Sequence, residues 1–287
     1  YTPPTGYLKL NTFNLPDSSI VDGSEYMDAT LYTGNTPSSQ TITNASGFQP
    51  DFVWLKGINI AYDHYLWDSV RGAGIALFST GTSAESNYGT SIQNFTSTGF
   101  SVGNNLGINN SGSKYVGWQW KAGGTAVSIA AGSVDGTNPT IASSVSANPT
   151  AGFSVVTYTG TGSAATVGHG LGVAPSMVIV KWRSSAGGSW ATWHSSFVTA
   201  SNTDYLLLDS NGAKGFAGSL LFWNNTIPTS SVFSIGTNAG LNTNTGTYVA
   251  YCFADVEGYS KFGSYTGNGS TDGTFVYTGF RPAYIMI

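Results

Sequence analysis

The sequence predicts an all-β protein built from tandem antiparallel β-sandwich modules of the jelly-roll type, with a partial third repeat. Apolar and polar residues alternate in short runs, as in residues 53–56 and 115–120, whereas helical spacing is almost absent. Turn sequences such as Asp22-Gly23 and Asn211-Gly212 separate these runs. Self-similarity over roughly a hundred residues indicates an array of modules, which suits scaffolding better than a single reaction centre.

The repeat begins with a Tyr-Thr-Gly motif, continues through Gly-x-x-Pro and ends in an alternating apolar run. The motif occurs at Tyr32-Thr33-Gly34-Asn35, Tyr158-Thr159-Gly160-Thr161 and Tyr265-Thr266-Gly267-Asn268. The Gly-x-x-Pro steps occupy residues 47–50, 172–175 and 279–282, and the apolar runs occupy residues 52–56, 177–181 and 283–287. Two complete copies and the start of a third are therefore predicted.

The two complete copies agree beyond these openings. Residues 100–103 match 233–236, residues 115–120 match 248–253, and Trp67 aligns with Trp193. Val116, Trp118 and Trp120 should therefore point the same way as Val249, Tyr251 and Phe253, into the protein. We divide the chain into an N-terminal extension (1–25), a first module (26–124), a linker (125–139), a second module (140–258) and the start of a truncated third repeat (259–287).

The residues before the second Tyr-Thr-Gly motif predict a hairpin. Residues 141–145 and 153–158 read as two strands joined by Asn148-Pro149-Thr150-Ala151-Gly152. The linker therefore runs directly into the second module.

Composition excludes several classes of protein. Charged residues make up 8% of the 287 residues, against about 25% in an ordinary domain. Aromatic residues make up 14%, which argues against disorder. The formal net charge is −4 without a basic cluster, so we expect no nucleic-acid partner. No run of eighteen apolar residues occurs, so we expect no membrane insertion.

Several motifs together resemble one protein family. They are Tyr-Thr-Gly-Asn-Gly at 265–269, Gly-Phe-Arg-Pro at 279–282, Gly-His-Gly-Leu-Gly-Val-Ala-Pro at 168–175 and Tyr-Val-Ala-Tyr-Cys-Phe at 248–253. The chain from about residue 26 onward resembles large virion proteins of tailed bacteriophages, especially marine ones. In that family similar β modules recur in tandem, often beside lectin-like sandwiches of the concanavalin A or SPRY type. The resemblance implies a virion component such as a tail or head fibre.

Residues for catalysis are sparse, so we expect no enzyme, no metal and no cofactor. His169 lies between two glycines in a predicted turn, and neither His64 nor His194 is matched by a histidine in the other copy, which disfavours a zinc site. No Gly-x-Ser-x-Gly elbow accompanies His194, which disfavours a Ser-His-Asp triad. Asp63 and Asp68 are the best pair of acids for glycoside cleavage or calcium binding, but the second copy has Ser189 and His194 there. The single cysteine, Cys252, reads as a small structural residue.

Aromatic residues offer an alternative function, carbohydrate binding. Tryptophan and tyrosine faces stack on sugar rings, and the residues we assign to such a platform are Trp190, Trp182, Tyr65 and His194. Trp67 and Trp193 recur in both copies, so we expect them to fill the sandwich cores instead. The platform requires its aromatic rings to be exposed around a shallow groove.

We therefore expect a structural component of a virion surface appendage, located on the phage particle, with host attachment as a specific role. Its partners would be other virion proteins, further copies of itself and a host surface glycan. A carbohydrate-binding module is the alternative, and a glycan depolymerase is less favoured. Because a partial repeat leaves strand edges without cover, we also expect residues 265–287 to be covered by further protein.

Overall fold

The protein is folded almost entirely into β-strands, which confirms the predicted all-β class. A computed structural model describes residues 4–5, 18–132, 139–197, 204–216 and 221–287. Its strands are β1 (Met27–Thr33), β2 (Gln40–Thr43), β3 (Phe52–Gly57), β4 (Tyr65–Asp68), β5 (Ile75–Phe78), β6 (Ser86–Asn87), β7 (Ile92–Thr96), β8 (Gly99–Val102), β9 (Lys114–Trp120), β10 (Val127–Ile129), β11 (Ser143–Asn148), β12 (Phe153–Thr159), β13 (Ala165–Gly168), β14 (Met177–Trp182), β15 (Ala191–His194), β16 (Asp204–Leu207), β17 (Gly215–Phe216), β18 (Val232–Ile235) and β19 (Thr247–Phe253). Its α-helices are α1 (Leu106–Asn109) and α2 (Ala239–Asn242), and 3₁₀ turns occupy Gly23–Glu25 and Ser195–Phe197.

The strands form two antiparallel sandwiches. In the first half of the chain, a six-stranded sheet in the order β1-β9-β3-β4-β5-β6 packs against a three-stranded sheet in the order β2-β8-β7. In the second half, an eight-stranded sheet in the order β10-β11-β12-β19-β14-β15-β16-β17 packs against the pair β13-β18. A further apolar cluster joins the two large sheets. The result is four sheet layers separated by three cores.

Alternation along the strands explains how one large sheet faces two cores. In β3, Val53 and Leu55 point into the first sandwich, whereas Phe52 and Trp54 point to the core between the halves. Successive side chains of a strand point to opposite faces, so a run that is apolar throughout is buried on both. The second half repeats this arrangement in β14.

Strand pairing has the same register in the two halves. Tyr32 of β1 lies opposite Tyr115 of β9, and Tyr158 of β12 lies opposite Tyr248 of β19. Val53 lies opposite Trp67, and Val178 lies opposite Trp193. Trp67 and Trp193 are 0% and 4% exposed, which confirms the prediction that they fill the sandwich cores.

Each of these tyrosine pairs closes one end of its sandwich. The rings of Tyr32 and Tyr115 stack with centroids 5.1 Å apart, and those of Tyr158 and Tyr248 stack at the same distance. The Tyr115 hydroxyl accepts from Asn110 N–H at 2.9 Å and donates to the carbonyl of Leu106, at the two ends of α1. Tyr248 bonds to the ends of α2 in the same way. One phenol therefore satisfies backbone groups that a helix of one turn leaves unpaired.

A buried asparagine completes each pair. Asn109 Nδ2 donates to Gly103 O at 2.7 Å, and its Oδ1 accepts from Asn35 N at 2.9 Å. Asn242 makes the corresponding bonds in the second half. We call each set of two tyrosines and one asparagine a tyrosine–asparagine node; the sets are Tyr32, Tyr115 and Asn109, and Tyr158, Tyr248 and Asn242. The sequence carries a signal for it, Asn-x-Gly-x-Asn at residues 105–109 and 238–242, which the sequence analysis missed.

The node explains the glycine of the Tyr-Thr-Gly motif. A Cβ atom on Gly34 would lie 2.2 Å from Asn110 O, and one on Gly160 would lie 2.4 Å from Thr243 O. The third copy is different, because a Cβ on Gly267 would meet nothing within 4 Å. The third motif therefore stands in the chain without a node around it.

The segments between and beyond the modules differ from the expectation in detail. The predicted hairpin forms from β11 and β12. Short strand β10 lies in the predicted linker and extends the eight-stranded sheet, while linker residues 133–138 lie outside the described residues. Most of the N-terminal extension also lies outside them. Residues 261–287, which include most of the predicted third repeat, contain no strand, and none of the described strands pairs with them.

Substituting the node glycines by alanine tests this account. We expect Gly34→Ala and Gly160→Ala each to destabilise the protein by about 1–3 kcal/mol or more, because the added methyl group overlaps a backbone carbonyl. Urea unfolding of the purified variants measures this loss. Gly267→Ala is the matched control and should leave the unfolding midpoint unchanged. Equal effects at all three positions would contradict the node.

Candidate functional site

Two of the four predicted ligand residues are buried. Trp190 is 0% exposed, its indole N–H donates to Phe78 O at 2.8 Å, and its ring lies parallel to that of Tyr251. Tyr65 is 8% exposed and stacks on Trp67, and burial raises its pKa to about 12. A ring without an open face cannot stack on a sugar, so neither residue belongs to an exposed platform.

The other two are partly buried and lie apart. Trp182 stacks on Tyr248 with centroids 6.0 Å apart and donates to Ser184 Oγ. His194 accepts from Ser196 N–H and lies beside Phe262, and burial lowers the pKa of its imidazole. The predicted platform of Trp190, Trp182, Tyr65 and His194 is thus not assembled. Periodicity could not reveal this, since Trp190 is covered by the other half of the chain.

The residues considered for chemistry are also separated. Asp68 is buried in the core between the halves, whereas Asp63 bonds to Thr80 near the surface, so the two carboxylates do not face one groove. Cys252 is buried and its thiol pKa is raised to about 12 by desolvation, so it remains protonated. In the described part of the chain, no three His, Cys, Asp or Glu side chains are grouped to hold a metal ion.

A buried charge network joins the two halves. Arg71 of the first half bonds to Asp68 at 2.5 Å, with both side chains fully buried, and the Tyr251 hydroxyl of the second half donates to the same carboxylate at 2.8 Å. The Arg183 guanidinium of the second half donates two hydrogen bonds, of 2.8 and 3.0 Å, to the Glu85 carboxylate of the first half. Such bidentate pairs fix orientation as well as distance. The two sandwiches are therefore held in one arrangement.

Lys181 lies beneath this network. Its side chain is 0% exposed, and its ammonium group donates to Thr82 O of the first half and to Trp182 O. Burial lowers its pKa to about 8, against the opposing influence of Asp209 and Glu85. The aligned residue of the first half, Lys56, is only partly buried. The two large sheets are therefore covered unequally.

The unequal cover leaves part of the first large sheet open. Cross-strand rows on its junction side contain Met27, Trp120 and Phe52, then Ala29, Trp118 and Trp54, then Leu31, Val116 and Lys56. The second half covers the first row. In the third row Leu31 is 70% exposed. Trp54, at the inner end of the second row, is buried. We call the remaining residues of the second and third rows the open face: Ala29, Trp118, Leu31, Val116 and Lys56.

An aromatic cluster stands on the open face. Trp54 donates its indole N–H to His64 Nδ1 at 3.0 Å, and the His64 ring lies parallel to that of Trp118. Tyr284 meets Trp118 edge to face with centroids 5.9 Å apart, which ties the end of the chain to this face. Burial lowers the pKa of His64, so its ring stays neutral and accepts the bond from Trp54.

The open face ends in an uncovered strand edge. β1 pairs with β9 on one side, and no other strand of the described ranges pairs with its far side. Its counterpart β12 is covered there by β11 over six residues, with Ser143 opposite Tyr158. Backbone groups along such an edge are available to an incoming strand. The edge of β1 and the open face thus form one continuous candidate interaction surface.

The C-terminal segment, residues 259–287, is the most exposed apolar part of the described chain. Seven of the seventeen large apolar side chains that are exposed among the described residues lie between 265 and 287. Phe275 and Tyr277 are 86% and 79% exposed. Apolar exposure of this density marks interaction sites.

A recess of about 550 Å³ lies where the first half meets β11. Asp51 lines it, but its carboxylate already accepts from the N–H groups of Ala122 and Gly124 and from the hydroxyl of Ser69. Its other lining groups are mostly small or backbone atoms. The recess therefore offers little to anchor a ligand.

The fold and this surface define an all-β protein whose two sandwiches stack through their large sheets and whose residues 265–287 expose apolar side chains. Comparison with family models places the chain in the DUF7483 family, a domain of unknown function, over residues 22–287, so the chain belongs to this family. The matched range includes both halves and the C-terminal segment. Comparisons with the curated proteins and with the solved structures found no match. No helix among the described residues is long and apolar enough to cross a membrane.

Breaking the buried network should loosen the junction. We expect Arg71→Met to cost about 3–5 kcal/mol, because it leaves the Asp68 carboxylate buried without its cation. Urea unfolding monitored by fluorescence measures the loss. The exposed pair of Lys261 and Asp255 supplies the control, since Lys261→Ala should cost no more than about 1 kcal/mol. A neutral Arg71→Met would show that the network does not hold the halves together.

Lys181 predicts a pH dependence. Its pKa is lower in the folded protein, about 8, than in the unfolded chain, so the unfolded chain binds more protons above pH 8. The stability of the wild type should therefore rise between pH 8 and 10 relative to that of Lys181→Met, by up to about 1.4 kcal/mol per pH unit. Parallel urea titrations of both proteins measure the difference. Identical pH profiles would place the Lys181 ammonium in water.

Proposed function

We propose that this chain is a structural module of a surface appendage of a tailed-bacteriophage virion, and that the appendage contacts the host. The observation that carries the proposal is the continuous core between the two large sheets. There Phe52 stacks on Tyr251 at 4.3 Å, and Trp120 lies against Phe153 and Phe253. Two sandwiches joined in this way act as one stiff block, which is the property that an appendage needs.

Three further features support the proposal. The repeated motifs of the chain resemble those of virion proteins of tailed bacteriophages. The low fraction of charged residues leaves surfaces that pack without repulsion between like charges. The open face and the C-terminal segment offer two separate surfaces to neighbouring proteins. Together these features favour an assembly protein whose neighbours are other virion proteins and copies of itself.

Carbohydrate binding is a second candidate, favoured by the aromatic cluster in which His64 and Trp118 are partly exposed above the buried Trp54. Trp118 is the residue of this cluster that offers a ring to a sugar at the surface. A host glycan bound here would combine attachment with scaffolding. Loss of glycan-array binding in Trp118→Ala, with unchanged binding in Trp182→Ala, would support this site, and equal loss in both variants would reject it.

Immunogold electron microscopy tests the main proposal. Antibodies raised against the purified chain should label an appendage on intact particles of the phage that encodes it. The same antibodies absorbed with the purified chain serve as the control. Label found only in the soluble fraction of the lysate, with bare particles, would refute a virion role.

A further inference from the structure

The C-terminal segment contains residues that favour β-strands but form no β-sheet hydrogen bonds in the described part of the chain. Thr274, Phe275, Val276, Tyr277 and Thr278 are β-branched or aromatic residues, the types enriched in strands. Residues 263–277 are all exposed. In the described part of the chain, no hydrogen bond reaches the backbone of Phe275, Val276 or Tyr277. Residues 274–278 therefore favour a β-strand, and no described strand pairs with them.

The outer edge of β1 is not paired with any described strand. Half of the N–H and C=O groups of β1 point away from β9, toward the side where no described strand lies. The second half shows what fits this edge, because β11 lies there against β12, antiparallel and six residues long. A strand of similar length would complete β1.

We propose that residues 274–278 of one copy add as an antiparallel strand to the free edge of β1 in a second copy. The proposal rests on the function proposed above, because it identifies the contact through which copies of this structural module assemble. The register follows from β11: as Ser143 lies opposite Tyr158, Thr274 would lie opposite Tyr32. Phe275 then lies opposite Leu31, and Tyr277 lies opposite Ala29.

This register places matching chemistry on each face of the sheet. Phe275 and Tyr277 project to the same side, where they extend the open face beside Leu31, Val116 and Trp118. Val276 projects to the other side, beside Thr30. The three most exposed apolar side chains of the contact (Phe275 at 86%, Tyr277 at 79% and Leu31 at 70%) therefore lose exposure together.

We assign the free edge of β1 to a second copy of this chain, because every copy carries both this edge and the strand-forming residues 274–278. The donor strand and the acceptor edge are different surfaces, so each bound copy still displays one of them. Contacts of this head-to-tail kind repeat in one direction and build linear assemblies. Tyr284 on Trp118 fixes the base of the segment to its own copy and leaves residues 274–278 displayed.

Cysteine pairing tests the contact directly in the full chain. Leu31→Cys and Phe275→Cys are prepared as separate proteins, mixed and oxidised. We expect a disulfide-linked heterodimer on non-reducing gels. Leu31→Cys mixed with Leu106→Cys is the control, since Leu106 is exposed elsewhere in the structure. Heterodimer yield equal to that of the control would overturn the proposal. The buried Cys252 contributes a background that the wild type measures.

Two further measurements cover the alternatives. The backbone groups of Ala29 and Leu31 point away from β9, so the N–H groups of Tyr277 and Phe275 face β1 in this register. Tyr277→Pro removes one of them and should weaken self-association at least tenfold in sedimentation velocity relative to Tyr277→Ala, without changing the unfolding midpoint. Association equal in Tyr277→Pro and Tyr277→Ala would overturn the proposal. If a Leu31→Cys/Phe275→Cys double variant closes its disulfide only within monomers, the strand folds back onto its own copy, and the second-copy contact is wrong. Particle labelling is independent of these outcomes, so failure of the contact and failure of the virion role are separable.

Discussion

The tyrosine–asparagine node is the constraint on which each sandwich depends. It joins the large sheet, through the stacked tyrosines of two neighbouring strands (β1 and β9, or β12 and β19), to the one-turn helix that follows the small sheet. The polar groups at this turn are buried, so they must be paired within the protein. Asn109 and Asn242, the last residues of α1 and α2, supply that pairing. The position of the small sheet over the large one follows from this connection.

The junction between the halves imposes a second level of order. The second large sheet buries Lys181 on its junction side, whereas the first keeps Lys56 partly exposed and Leu31 70% exposed. Arg71, Asp68 and Tyr251 fix this offset, because a buried carboxylate accepts hydrogen bonds from only one arrangement of its partners. Because the two large sheets are offset, the second half does not cover the open face. A junction without this offset would bury it.

Sequence reasoning reached the fold class, the core roles of Trp67 and Trp193 and the side of β9 on which Trp118 and Trp120 lie, because these follow from alternation and internal repetition. Exposure was predicted less well: Trp120 is buried, whereas Trp118 keeps a partly open ring. The ligand residues could not be predicted in the same way. Trp190 lacks a counterpart of its kind and so looked free for function, yet the other half of the chain buries it. Packing between the two large sheets produces no periodic pattern of apolar residues, so the sequence does not show which side chains it buries.

The scarcity of charge has a consequence for the conditions under which surfaces of this protein meet. The ion pairs of Arg71 with Asp68 and of Arg183 with Glu85 lie at the junction and are largely buried, so salt screens them weakly. What remains outside is mainly hydroxyl, amide and aromatic. Association through such surfaces depends on backbone hydrogen bonds and burial of apolar area, neither of which responds strongly to ionic strength. Contacts of the proposed kind should therefore change little between dilute and physiological salt, where screening of charges is the main effect of ions.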